Sequence, residues 1–163
     1  MAGAQAQQNN PLRIGIAGLV HGHVSGFLNA ALKRSDCRIV ALADPSAELR
    51  SRYGERAQVP AAGLFAGAAE MIERAKPEAV ACFGSTFDHA EAVEICAARK
   101  TPVMMEKPLA VSVEHARRIE RAAKNSGIPV IVNYETTWYP SHGEIRRVLH
   151  DSKAAGEIRR MVV

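Results

Sequence analysis

Three short stretches carry residues whose types and spacing suit nucleotide binding and proton transfer. Gly18 follows the apolar run Ile14 to Ala17, and a helical pattern of apolar residues begins a few positions later. Asp44 directly follows a second apolar run, and the pair Glu106 and Lys107 follows a third. Each stretch therefore lies where a buried strand would end, which is the edge of a parallel sheet that binds ligands.

The stretch around Gly18 predicts a pyrophosphate-binding turn between a strand and a helix. Unpaired N–H groups at a helix N-terminus hold phosphate in such units. A full G-x-G-x-x-G fingerprint would place glycines at positions 20 and 23, where this chain has Val20 and His23. We predict that the turn consists of Gly18, Val20, His21, Gly22 and His23. The alternative is a tight strand-to-helix turn of the kind found in any α/β protein.

Gly18, Gly22 and Gly26 recur at every fourth position. This spacing removes side chains from one face of the first helical turns. It predicts a close approach of the helix to the sheet in place of the third fingerprint glycine.

Asp44 is predicted to accept hydrogen bonds from both hydroxyls of an adenosine ribose. A carboxylate there would repel a 2′-phosphate, so the sequence favours NAD over NADP. The alternative is an aspartate that forms a turn before Pro45.

Lys107 could exchange a proton with a substrate hydroxyl while a hydride leaves the carbon. The alternative is an exposed Glu106–Lys107 pair before a proline loop. Ser85 and Thr86 follow another predicted strand, and they either contact the cofactor or only form the turn.

His21, His23 and His89 fall in predicted loops at the same edge and raise the question of a metal. An H-x-H in a loop offers no enforced geometry, and His89 lies two βα units away. We therefore expect no metal site and predict a hydrogen-bonding or phosphate-contacting role for His21 or His23, the alternative being polar loop residues without such a role.

Buried apolar runs alternate with amphipathic helical patterns along most of the chain. This alternation predicts an α/β fold, a doubly wound parallel sheet with helices on both faces. Ser46, Asp88 and Ser112 are predicted to cap helices, the last with Val113, Ala116, Ile119 and Ala123 inward. Residues Glu157 to Val163 predict a final strand.

Composition narrows the partners and the compartment. The net charge is +4, but the basic residues are interleaved with acidic ones as on a solvated helix face, so we predict no nucleic-acid partner. Since no apolar run approaches the ~20 residues of a membrane span, we predict no membrane partner. The 3 dispersed cysteines favour a reducing, cytoplasmic compartment, the alternative being an exported form with a trimmed signal.

The order of motifs resembles the N-terminal half of the glucose–fructose oxidoreductase / inositol dehydrogenase / MocA (Gfo/Idh/MocA) family. The motifs are IGIAG, ALADP, GSTFDHAEAVEIC, VMMEKPLAVSVEHARRI, GIPVIVNY and GEIRRMVV. The resemblance implies a Rossmann fold and an NAD(P)-dependent oxidoreductase acting on a sugar or cyclitol hydroxyl. It implies that Ser85, Thr86 and His89 match the family's T-P-x-x-x-H loop, which binds the cofactor near its ribose and nicotinamide, and that Glu106 and Lys107 lie by the nicotinamide.

The chain departs from the family at Val20, at His23 and at Phe87, which replaces the usual proline. It also stops within what would be the first strand of the family's second, substrate-binding α/β domain. We expect a disordered lead-in over 1–11, a dinucleotide-binding domain over 12–134, and the start of a truncated second domain over 135–163. Little activity is then expected from this short chain alone. The alternatives are a non-catalytic dinucleotide sensor or scaffold, and self-association into a homo-oligomer through Glu157 to Val163.

Overall fold

The computed structural model describes residues 10–154, 156–157 and 159–160. The chain divides into two compact units, 1–132 and 133–163. Most of the expected lead-in over 1–11 lies outside the described residues.

The first unit is built on a six-stranded parallel sheet with the order β3-β2-β1-β4-β5-β6. The strands are β1 Leu12–Ala17, β2 Cys37–Ala43, β3 Leu64–Phe65, β4 Ala79–Cys82, β5 Val103–Glu106 and β6 Val130–Asn133. The strand order reverses between β1 and β4, which is the topological switch point of a doubly wound sheet. The predicted Rossmann-type α/β fold is confirmed.

The helices connect the strands in alternation, as predicted. They are α1 His23–Ala31, α2 Ala47–Ala57, α3 Ala68–Ala75, α4 His89–Ala98 and α5 Val113–Ser126. The Ser46 hydroxyl accepts the Leu49 N–H at 3.2 Å, and the Ser112 hydroxyl accepts the His115 N–H at 3.1 Å. Gly127 ends α5 in the left-handed conformation, at φ +73°.

Two apolar clusters cover the two faces of the sheet. Successive residues of a strand point to opposite faces, so Ile16, Leu42 and Ala81 enter one cluster while their neighbours enter the other. The first cluster packs against α1 and α2, and the second packs against α3, α4 and α5. This arrangement holds the strand ends rigidly, which fixes the turns that follow them.

Three local predictions in the first unit are wrong. Cβ atoms built on Gly22 and Gly26 would meet nothing within 4 Å, so these glycines mark no close approach of α1 to the sheet. Val113 is 68% exposed, because it occupies the first position of α5 and lies beyond the part of the helix that is buried. Asp88 makes no capping hydrogen bond to α4, because its carboxylate bonds Ser85 instead.

The second unit contains a 3₁₀ turn, Glu135–Trp138, and the helix α6, Pro140–Arg146, which continues as a π-helical turn over Arg147–Asp151. The predicted strand Glu157 to Val163 is not found, since Glu157, Arg159 and Arg160 lie in no strand. The other residues of that segment lie outside the described residues. Over the described ranges, no helix has the length and hydropathy needed to cross a bilayer.

Candidate active site at the carboxyl edge of the sheet

Gly18 connects β1 to the turn before α1 and lies against the turn that follows β4. Its φ is +78°, and its N–H donates to the Ala43 carbonyl at 2.7 Å. A Cβ atom here would lie 2.4 Å from the Gly84 nitrogen, a backbone atom that cannot move aside. Both the conformation and the packing therefore require glycine at position 18.

Asp44 ties the end of β2 to the β1–α1 turn. The carboxylate is buried; Oδ2 accepts the Leu19 N–H and Oδ1 accepts the Ser46 N–H, each at 2.8 Å. The turn-forming role that the sequence left open is therefore present. Each carboxylate oxygen has a further lone-pair site, so these bonds leave room for additional donors.

A cavity of about 340 Å³ opens at this edge between Gly18 and Asp44. We call it the small-residue pocket, since its walls consist mostly of Ala17, Gly18, Ala43, Gly67, Ala68 and Gly84, with Asp44, Cys82 and Asp88 among the other lining residues. The volume falls in the range of small-molecule sites. Burial raises the pKa of the Cys82 thiol to about 12, so this wall carries no thiolate at neutral pH.

Some backbone N–H groups of the β1–α1 turn already have hydrogen-bond partners within the protein. The N–H groups of Leu19, His21 and His23 donate to Asp44, to the Phe83 carbonyl and to the His21 ring. Within the described part of the chain, the Val20 and Gly22 N–H groups make no hydrogen bond, so both are available to donate to an anion.

The two bulky departures from the family pattern do not fill the pocket. Val20 is 63% exposed and Phe87 is 67% exposed, and neither side chain lines the cavity. Phe87 instead packs against His115, with the ring centroids 5.2 Å apart.

His21, His23 and Glu106 meet at the other end of the same edge, and we call them the histidine–glutamate cluster. His23 Nδ1 lies 3.1 Å from Oε2 of Glu106, and the two histidine ring centroids are 4.7 Å apart. Glu106 is 1% exposed, whereas both histidines are half-buried. The α1 start is thereby brought to the end of β5, across the intervening strand β4.

Lys107 follows Glu106 and is exposed. Its N–H lies 3.3 Å from the Glu106 carboxylate, and the Lys107–Pro108 peptide bond is cis. The lysine therefore stands next to the cluster at the edge where β5 ends.

His89 does not lie at the surface of the site. It is 1% exposed, and its Nδ1 lies 3.2 Å from the Leu109 carbonyl, in the loop that contains Lys107 and Pro108. A carbonyl only accepts, so Nδ1 carries the proton. His89 Nε2 is buried without a hydrogen-bond partner in the described structure. This residue, predicted to contact a cofactor, anchors the lysine-bearing loop.

Ser85 and Thr86 form the turn after β4. The Ser85 hydroxyl donates to the Asp88 carboxylate at 2.7 Å and caps the 3₁₀ turn Thr86–Asp88. The turn-forming alternative for Ser85 is therefore present in the structure.

A profile described as "Oxidoreductase family, NAD-binding Rossmann fold" matches residues 12–134, which is most of the chain. The chain belongs to the Gfo/Idh/MocA oxidoreductase family.

Two sequence relatives and one solved structure illustrate this membership. D-apiose dehydrogenase from Rhizobium rhizogenes is 30% identical over 135 residues, which are 82% of this chain and 35% of that protein. Inositol 2-dehydrogenase 2 from Saccharopolyspora erythraea is 28% identical over 120 residues, 73% of this chain and 35% of that protein. The chain thus spans about a third of the length of these relatives.

The structure of an oxidoreductase from Agrobacterium radiobacter in complex with NAD+, L-tartaric acid and magnesium has a TM-score of 0.81 to this chain. The two are 23% identical, and the match covers 90% of this chain and 42% of that one. This likeness confirms the fold.

Sequence reasoning missed several residues of this Gfo/Idh/MocA site. Gly67 and Gly84 line the small-residue pocket, and each follows a strand, a position that could have marked them. The contact between His23 and Glu106 had no local signal, because the two residues are distant in the sequence.

Proposed function

We propose that the first unit binds a nicotinamide adenine dinucleotide across the switch point of its sheet. The adenosine would occupy the small-residue pocket, and the nicotinamide would lie by Glu106 and Lys107. The single observation that carries this proposal is that the Gly18 turn, the Asp44 carboxylate and the end of β5 share one edge. The residues present fit the group: the cavity of about 340 Å³ is lined mostly by glycine and alanine, and a Cβ at position 18 would collide with the Gly84 backbone.

The contacts of the turn suggest how it would hold the pyrophosphate. The Val20 and Gly22 amides are unbonded in the described structure, and α1 begins directly after them. Its dipole adds positive potential at this end. Those two amides would bond the phosphate oxygens, while the Asp44 bonds to Leu19 and Ser46 keep the turn in shape.

Lys107 is proposed as the residue that moves a proton at the substrate hydroxyl. The bound nicotinamide supplies the chemistry of accepting or returning a hydride at the substrate carbon. As a neutral amine, the Lys107 side chain would take the hydroxyl proton, and as an ammonium it would return the proton to the ketone. Glu106, buried against the Lys107 N–H, and His89, bonded to Leu109, would hold the loop in place.

The substrate class proposed is a sugar or cyclitol secondary alcohol. The family assignment supports this class, and the names of the two sequence relatives, an apiose and an inositol dehydrogenase, point the same way. As the chain spans about a third of those proteins, we expect this chain alone to bind the dinucleotide with little or no turnover.

The proposed cofactor preference is NAD over NADP, for the reason given for Asp44. Arg50 is an opposing feature, since its guanidinium donates to the carbonyls of Asp44 at 2.5 Å and Pro45 at 3.0 Å. An arginine at this point can accommodate a 2′-phosphate. Titrating NADH and NADPH in parallel shows whether the effect of Asp44 or that of Arg50 is larger. Tighter binding of NADPH would contradict the proposed preference for NAD.

The test is a fluorescence titration of the chain with NADH, followed by an assay with sugars and cyclitols. Binding weakened by Asp44→Ala and unchanged by Lys33→Ala, an exposed lysine beyond α1, supports the proposed site. No binding at millimolar NADH would contradict it. If turnover is found, Lys107→Ala should lower kcat, and an unchanged kcat would refute the role of Lys107.

A second candidate is a dinucleotide-binding protein without catalysis, favoured by the short span relative to the dehydrogenases. NADH binding with no substrate-dependent turnover supports this candidate. Homo-oligomer formation also remains a prediction, and a monomer mass by light scattering at high concentration would contradict it.

A further inference from the structure

The histidine–glutamate cluster has the composition of a divalent-metal site. Two imidazoles and one carboxylate are the donor set of catalytic zinc sites and of other two-histidine, one-carboxylate centres. One ligand atom from each of His21, His23 and Glu106 lies within 4.8 Å of the other two. Within the described residues, no other group of three such side chains is found this close together.

The contact between His23 and Glu106 has the distance of an ion pair but not the geometry of a hydrogen bond. Nδ1 of His23 is a buried atom without a hydrogen-bond partner, although Oε2 of Glu106 lies 3.1 Å away. Two ligand atoms on a tetrahedral zinc ion, with bonds of about 2.0–2.1 Å, lie roughly 3.3 Å apart. The observed separation is therefore close to that of two atoms sharing an ion.

His21 can join the other two ligands by a small movement. Its Nδ1 accepts the His23 N–H at 3.2 Å, the long limit for such a bond, so giving up this contact loses little. The side chain is half-buried, which leaves it room to turn. A closing movement of about 1–2 Å brings all three ligand atoms to tetrahedral spacing.

The three ligands differ in burial, so one of them is fixed while the other two can adjust. Glu106 is fixed in the core at the end of β5, while His21 and His23 lie on either side of the α1 start. The sequence argument against a metal was that a loop H-x-H has no enforced geometry. The buried carboxylate supplies the fixed third ligand that the argument lacked.

We propose that His21, His23 and Glu106 form a binding site for one divalent cation of the zinc class. Imidazole ligands favour zinc and its neighbours over magnesium or calcium, which prefer oxygen. Three protein ligands leave a fourth position for water or for an oxygen of a small molecule. This proposal does not depend on dinucleotide binding, and it is tested with the metal alone.

The experiment uses the full chain without a histidine tag, dialysed against Zn²⁺ and titrated in parallel with Co²⁺. We expect one ion per chain, a visible Co²⁺ spectrum of tetrahedral type, and no displacement by excess Mg²⁺. His21→Gln and His23→Gln should each lower the affinity at least about 10-fold, since loss of mere supporting contacts already has that effect.

His115→Gln is the matched control, because this half-buried histidine in the same unit belongs to no cluster. It should bind the ion like the wild type. Glu106→Gln should also weaken binding of the ion. If this substitution in the core prevents folding, the His21→Gln and His23→Gln variants still test the proposal. Absence of stoichiometric binding, or equal binding by the His21, His23 and His115 variants, would overturn the proposal.

Discussion

The two ends of the carboxyl edge are built in opposite ways. The small-residue pocket is lined mostly by glycine and alanine, and its buried carboxylate, Asp44, is bonded to backbone amides. The histidine–glutamate cluster consists of side chains, two of them half-buried. The difference teaches that the pocket takes its shape from the fold itself, whereas the two histidines of the cluster could change with little effect on folding.

The largest effect is expected from Gly18→Ala, at the centre of the pocket end. The left-handed conformation disfavours alanine by about 1–2 kcal/mol, and the clash with Gly84 adds about 1–3 kcal/mol. We expect a loss of about 2–5 kcal/mol of stability, measured by urea unfolding. NADH binding should fall with it.

Gly26→Ala is the control for this variant. The residue is exposed within α1, and a Cβ there meets nothing within 4 Å. It should stabilise the chain by about 0.5–1 kcal/mol through its helix propensity. Equal stability of the two variants would show that the Gly18–Gly84 contact does not shape the pocket.

Asp44→Asn should have the next largest effect. An amide offers only one acceptor oxygen, so either the Leu19 or the Ser46 N–H loses its buried partner. We expect about 1–3 kcal/mol of destabilisation by the same assay. Asp36→Asn, which alters an exposed side chain, should change stability by less than about 0.5 kcal/mol. Wild-type stability of Asp44→Asn would mean that the carboxylate serves only a ligand.

The thiol in the pocket wall predicts a weaker, pH-dependent effect. Burial raises the pKa of Cys82 to about 12 from its ordinary value of 9.0. The unfolded chain therefore loses this proton first, so the stability is fully present below about pH 9 and falls between about pH 9 and 12. The slope is up to about 1.4 kcal/mol per pH unit.

Unfolding of wild type and Cys82→Ala at pH 8 and pH 10 measures this slope. The variant should lose less stability than the wild type on going to pH 10, even if it is less stable at pH 8. If the free energy of unfolding changes with pH equally in wild type and in Cys82→Ala, burial does not raise the pKa of the Cys82 thiol.

The smallest effect on folding is expected at the cluster end. His23→Gln changes a half-buried side chain that contacts Glu106, and a glutamine amide can still reach that carboxylate, so the loss of stability should stay below about 1 kcal/mol. Thermal unfolding without added metal measures this. A loss of stability as large as that of Asp44→Asn would show that the pocket and the histidine–glutamate cluster contribute equally to folding.

The fold was largely predictable because its signals are local. The apolar runs ending at Ala17 and Ala43, the caps Ser46 and Ser112, and the glycine at 127 each act within a few residues. The strand order then follows from right-handed crossovers. The regular spacing of Gly22 and Gly26 misled because it describes an exposed face of α1.

The site was predictable only in part, because its contacts join residues that are far apart in the sequence. Gly18 and Asp44 stood out through their positions after strands. Gly84 became visible only when β4 was placed beside β1, and the His23–Glu106 contact crosses that strand to reach β5. His89 could be singled out from its match to the family's T-P-x-x-x-H loop. Whether its side chain faces a ligand or the core depends on the loop around Leu109, which is distant in the sequence.

The contact between Gly18 and Gly84 sets a practical limit on redesign of this edge. A Cβ on Gly18 would lie 2.4 Å from the Gly84 nitrogen, so the β1–α1 turn tolerates no larger side chain at position 18, whereas a Cβ on Gly84 would make only ordinary contacts with Asp88. Substitutions meant to change the preference between NAD and NADP are better directed at residues 45–50, which are exposed or partly exposed. Libraries that leave position 18 untouched should retain a far larger share of folded members.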